Sequence, residues 1–165
     1  MAYHITDGRI GYQGIADTST VQNHPIGTIV RAFDPTYGEG EFIYLKGIGS
    51  TAVGSLVTYN TTSYTTTLAA VGTNKAQPIA VAMSANVASQ WGWYQISGIA
   101  VMKKTCTVSL AANAAVGVLT IGLVAGTGSG KEIQGALVAA VASATAGRTT
   151  VQVVINRPHM QGRVT

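Results

Sequence analysis

Charge is the scarcest resource in this chain. Of 165 residues only 10% are Asp, Glu, Lys or Arg, where an average soluble domain carries roughly 25%. The formal net charge of +4 comes from having six acids rather than from many bases, so it argues only weakly for nucleic acid, which is not an expected partner. Cysteine is almost missing. A lone Cys106 excludes an intramolecular disulfide framework and a Cys-based zinc site. Within the strand-like Lys104-Thr-Cys-Thr-Val-Ser it reads as a small core hydrophobe, and synthesis in a reducing cytoplasm is expected. The three histidines, His4, His24 and His159, have no spacing that would set two metal ligands on one element. The start of the chain has no basic region followed by an apolar run, so no signal peptide is expected.

What the chain does have is apolar residues (47%) and 20 glycines. Such compositions belong to membranes, to fibres, or to proteins that cover much of their surface with other subunits. No charged residue stands between Lys104 and Lys131, a stretch long enough for the roughly 20 residues of a spanning helix. Gly117, Gly122, Gly126, Gly128 and Gly130 interrupt it, at about 1 kcal/mol each relative to Ala in a helix. Two short strands near Thr105–Leu110 and Val116–Val124 are expected instead, and no membrane partner.

The length suits one domain with an ordinary core. Period-2 runs rich in β-branched and aromatic residues recur between Gly, Asn and Pro breaks. They predict strands near 28–33, 41–47, 54–59, 78–84, 91–102 and 149–156. Alternation along Thr149–Ile155 sets Val151, Val153 and Ile155 on one face, with Thr150, Gln152 and Val154 on the other. Helix is an option only at Ser84–Ser89 or Gly135–Ala146, and the latter reads equally as a strand. The expected fold is all-β, a compact small β-barrel or β-sandwich over residues 28–156, with extended N- and C-terminal arms (1–27 and 157–165).

Motifs with enzymatic overtones fail on inspection. Gly126-Thr-Gly-Ser-Gly-Lys-Glu132 resembles a phosphate loop, but Ala125 replaces its first glycine and Glu132 its magnesium-binding hydroxyl. Gly47-Ile-Gly-Ser-Thr-Ala52 matches a dinucleotide fingerprint without the helix and the later acid that give it meaning. Glu39 and Glu41 flank Gly40 and fit a turn leading into the Phe42 strand better than a glycosidase pair, whose acids come from separate elements. Asn60-Thr-Thr is a glycosylation sequon of no consequence in a chain that is not secreted. Nothing points to a cofactor or to catalysis.

Trp91-Gly-Trp-Tyr94 is the richest local feature. Period 2 sets Trp91 and Trp93 on one sheet face and Tyr94 on the other. Two such rings suit a core or a subunit interface, or else an open sugar platform. A nucleic-acid groove would interleave them with Lys or Arg, and none lies between Lys75 and Lys103.

Read as a unit, Gly54–Lys104 carries a glycine turn and strand (Gly54-Ser-Leu-Val-Thr-Tyr-Asn), then a Thr-rich hairpin ending in Leu68. There follow Gln77-Pro-Ile-Ala-Val-Ala-Met, the segment from Ser84 to Gly98, and Ile99-Ala-Val-Met. This order resembles the capsid decoration (cement) proteins of tailed bacteriophages, in which a Pro-Ile-Gly-Val-Ala strand precedes a small-residue segment and a Val-x-Gly-x-Val strand. Here the motifs read Pro78-Ile-Ala-Val-Ala and Ile96-Ser-Gly-Ile-Ala. The similarity spans roughly residues 28–156. It implies a compact β domain, often a homotrimer, that binds the major capsid protein on the outer surface of an assembled virion head and does no chemistry there. A head-fibre or tail component, and a carbohydrate-binding β-sandwich using Trp91 and Trp93, are the alternatives.

The polar, aperiodic first 27 residues and the basic tail complete the expectations. Segments of this composition are ordinarily mobile unless tied down. Tyr3, Ile5, Ile10, Tyr12 and Ile15 are the expected apolar anchors on the shell or on a neighbouring copy. Arg157, His159 and Arg163, in a tail without acids, are candidates for docking on acidic capsid patches, and Trp91, Trp93 and Tyr94 for an interface.

Overall fold

A computed structural model describes residues 3–6, 11–49, 51–71, 76–105, 107, 109–144 and 149–162. The described residues form no helix and twelve strands: β1 (His4–Ile5), β2 (Thr18–Ser19), β3 (Ile29–Asp34), β4 (Gly38–Lys46), β5 (Leu56–Tyr59), β6 (Thr66–Leu68), β7 (Ile79–Ala82), β8 (Trp91–Lys103), β9 (Ala115–Thr120), β10 (Leu123–Gly126), β11 (Glu132–Val138) and β12 (Thr150–Met160). They join in one antiparallel sheet whose main path runs β1-β3-β4-β8-β12-β11-β9-β10. The all-β expectation holds, but the sheet does not close into a barrel. Instead it branches at β8, which pairs with β4 along 91–97, β12 along 97–103, β7 at 94–95 and β2 at 91–92. Beyond β7, β5 and β6 extend the branch.

Burial explains the two kinds of strand pattern. Phe42–Leu45 and Gly92–Ile96 are buried without interruption, as strands covered on both faces must be. On one face Phe42, Tyr44 and Trp93 pack with Val30, Ala32 and Met83. On the other Ile43, Leu45, Tyr94 and Ile96 meet Val57, Ala80 and Ala82. Further along, β12 alternates: Val151, Val153 and Ile155 join the largest cluster with Leu56, Val81, Met102, Val118 and Ile133, while Thr150 and Val154 face out. This is the facing anticipated from the period-2 pattern.

Four expectations need correction. The stretch 116–124 is not one strand but two, β9 and β10, turned at Ile121-Gly122. Of the two readings of Gly135–Ala146 the strand is realised, over Glu132–Val138, and no helix forms at Ser84–Ser89. No strand forms among the described residues of 105–110: β8 ends at Lys103, and the buried Lys104 ammonium draws in the carbonyls of Thr105 and Ser143, at 3.2 and 3.1 Å. Cys106 lies outside the described residues. The β domain does not stop at 156 either, because β12 continues through Pro158 to Met160. A bulge absorbs the proline: Asn156–Pro158 oppose the single residue Gly135, between the Ala136↔Ile155 and Gln134↔His159 pairs. Gly135 has φ +74°, and a Cβ there would come within 2.7 Å of the Asn156 carbonyl, which explains why glycine stands opposite the bulge.

The last correction concerns the N-terminal segment, which is not an arm. β1 adds to β3 and β2 adds to β8. Tyr3 and Ile15 are buried inside the Phe42–Tyr44–Trp93 cluster, and Ile5 and Tyr12 pack against it. These four apolar side chains cover the aromatic face of their own sheet, so they do not serve as anchors held out for another molecule. Ile10 lies outside the described residues.

Candidate functional site

Because direct partners across a sheet point to the same face, register defines the outer surface. Ile99 of β8 pairs with Val154 of β12, Val154 with Leu137 of β11, and Leu137 with Ala115 of β9. The four make a straight apolar row across four strands, with Val154 39% and Leu137 41% exposed. Val101 stands beside the row on β8, paired with Gln152. It borders a depression of about 220 Å³ that also takes in Tyr37 and the exposed Val141. Neither the row nor the lining of the hollow contains a charged residue. Scattered exposed aliphatics need no explanation; these four are contiguous across four strands of a chain with few charges.

On the side of the row away from that hollow, past Ser97 and Asn156, the surface turns polar. A depression of about 320 Å³ is walled by Arg31, Glu39, Glu41, Ser97, Asn156 and Arg157. Glu41 sits between two guanidinium groups, 3.1 Å from Arg157 Nη2 and 3.7 Å from Arg31 Nε. Arg157, on the bulge, has φ +43°, an unusual conformation for a residue with a side chain. Its charge is therefore engaged with Glu41 rather than held free on a tail. His159 is exposed and opposite Gln134. Arg163 lies outside the described residues. Glu39 and Glu41 are both on β4, and Glu41 is committed to its two arginines.

The tryptophans lie as period 2 requires, with different fates. Trp93 is fully buried, its ring 5.0 Å from Tyr44 and 5.5 Å from His24, and its Nε1–H donates to the Gln13 carbonyl at 2.9 Å. Trp91 is half-buried with the Lys46 ammonium 5.5 Å from its ring. An open two-tryptophan platform does not form. Tyr94 is buried on the opposite face, where its hydroxyl receives a hydrogen bond from Asn86 Nδ2 at 3.0 Å. Burial is the main cause of its raised pKa.

Sequence reasoning overlooked Gln13, a polar residue in an aperiodic segment. Its backbone N–H donates to His24 Nε2 at 3.0 Å, its amide nitrogen to the Asp17 carbonyl at 2.8 Å, and its amide oxygen accepts from Asn23 Nδ2 and the Tyr44 hydroxyl at 2.9 and 3.3 Å. With the Trp93 bond, one residue ties the N-terminal segment to β4 and β8. A glutamine with such partners leaves no trace in hydrophobic periodicity.

Among the described residues no three His, Cys, Asp or Glu side chains gather as metal ligands would, and no helix is long and apolar enough to cross a membrane. No protein-family model and no curated protein matches the chain.

Proposed function

We propose that this chain is a virion structural protein, a capsid decoration protein that binds the outer surface of an assembled tailed-phage head as a homotrimer and stabilises it. The observation that carries the reading is the charge-free row Ile99–Val154–Leu137–Ala115 with its neighbouring hollow, on a protein whose whole charge complement is small. The resemblance of Gly54–Lys104 to cement proteins supplies the kind of partner, the major capsid protein. Burial of Trp93 takes away the feature on which a sugar-binding reading relied.

A cement acts by mass action: by binding only the assembled, expanded lattice it adds its binding free energy to that state. Several contacts made by one oligomer multiply the effective affinity. The row is suited to such a contact because apolar surface leaving water contributes about 25 cal/mol per Å², with no ion pair to desolvate.

Replacing Leu137→Lys and Val154→Lys together tests this. Both side chains already reach solvent, so the circular dichroism spectrum should stay that of the wild type. Co-sedimentation with empty expanded heads should weaken at least about tenfold, as expected when about 1.4 kcal/mol of contact is lost. Unchanged binding by the double variant would remove the row from the contact.

A further inference from the structure

The N-terminal segment covers the most aromatic face of the protein, yet it is held by little regular structure. β1 and β2 contribute two residues each. Hollows of about 380 and 360 Å³ flank the segment, the first beside Ile15, Val53 and Met83, the second beside Ile5, Gly11 and Tyr12. What fastens the segment between them is the set of bonds at Gln13, and one acceptor in that set is a titratable ring, His24.

From this geometry we infer that residues 11–24 form an acid-released strap: the Gln13 N–H to His24 Nε2 hydrogen bond closes the strap on itself and sets Gln13 to accept from Trp93 Nε1 and the Tyr44 hydroxyl, and the strap opens when His24 takes up a proton. A backbone N–H can only donate, so the bond requires an unprotonated Nε2. Protonation sets two N–H groups against each other and leaves the Gln13 amide without its acceptor. The groups facing the imidazole are Tyr12 from its own segment, Tyr44 from β4 and Trp93 from β8, with ring centroids 5.0 to 5.5 Å away. None is a carboxylate or a cation, and burial raises the Tyr44 pKa. The charged groups of those elements are engaged or placed elsewhere: Glu41 with its two arginines, Glu39 at the polar depression, Lys46 over Trp91, and Asp17 and Lys103 outside the ring contacts. Aromatic faces attract a cation, but the amide in front of Nε2 opposes one, and burial lowers the His24 pKa below its ordinary 6.5. For a group with a lowered folded pKa, the stabilisation is complete above 6.5. It is lost as pH falls through the folded value, tenfold per unit between the two. Opening would bare Trp93 and Tyr44 while the Val153 core stays closed.

Hydrogen exchange on the isolated full-length protein, corrected for the intrinsic pH dependence of exchange, tests this without any capsid. Amides of residues 11–24 should open more at pH 5.0 than at pH 7.5, by a factor that the ordinary histidine value of 6.5 bounds at about thirtyfold, with amides of β8 and β12 still protected. His24→Gln offers the same acceptor without titrating, and should abolish the response. A His4→Gln/His159→Gln variant should keep it. An acid response that survives in His24→Gln, equal protection at both pH values in the wild type, or β8 opening together with the segment would each overturn the inference. If His24→Gln does not fold, titration of the wild-type His24 ring by NMR decides: a pKa below 6.5 supports the latch, and a value of 6.5 or above contradicts it.

Discussion

Deleting residues 1–20 is expected to leave a chain that does not fold, rather than a free β domain. The truncation removes Tyr3 and Ile15, both buried, and the partly buried Ile5 and Tyr12. It also strips the cover from Phe42, Tyr44 and Trp93, none of which has measurable exposure in the intact protein. Each large side chain withdrawn from burial costs about 1.5–3 kcal/mol, so the sum reaches the whole stability of a typical domain, about 5–15 kcal/mol. The hydrogen bond from the Tyr3 hydroxyl to the Ile99 carbonyl and those made by Gln13 go as well. Thermal unfolding followed by near-ultraviolet circular dichroism would decide. A truncated protein that still melts cooperatively near the full-length midpoint would show that the segment is dispensable.

Trp93→Ala is expected to cost about 3–5 kcal/mol, the range for emptying a large aromatic site in a core. The cavity would open between Tyr44, Tyr12 and His24, and the Gln13 carbonyl would lose its indole donor. Trp93→Phe separates the two contributions. It keeps most of the packing and gives up the N–H, so about 1–2 kcal/mol should be lost, mainly from an unpaired buried carbonyl. Urea denaturation of the three proteins measures both steps. Equal stability of the Ala and Phe variants would mean that packing at Trp93 contributes nothing.

The strands of the core were legible because their residues alternate. Val151, Val153 and Ile155 point inward as the pattern required, and Trp91 and Trp93 share a face opposite Tyr94. The six strands anticipated from alternation all form, with ends shifted by a few residues; of the two expected in the charge-free stretch, 116–124 splits into β9 and β10 and none forms among the described residues of 105–110. Legibility failed where burial is not periodic. The N-terminal segment buries Tyr3 and Ile15 at wide spacing and is held largely by polar bonds at Gln13. Those partners lie on β4, on β8 and in the segment itself, and local sequence cannot anticipate them. β12 looked finished at Pro158 because a proline cannot donate in a ladder, whereas the bulge opposite Gly135 makes room for it. β11 was ambiguous because Gly135 and Ala136 favour no state strongly. The outer apolar row was hidden for a different reason: Ile99, Ala115, Leu137 and Val154 come from four separate strands, and only register brings them into line.

The most direct test of the proposed role is titration of the purified full-length protein onto two preparations of tailed-phage heads lacking this chain, one expanded and one unexpanded. Saturable uptake by expanded heads alone, at a copy number in multiples of three per binding position and with a raised head disruption temperature, is the expected result. Failure to bind expanded heads, or equal binding to both forms with no change in head stability, would contradict a cementing function.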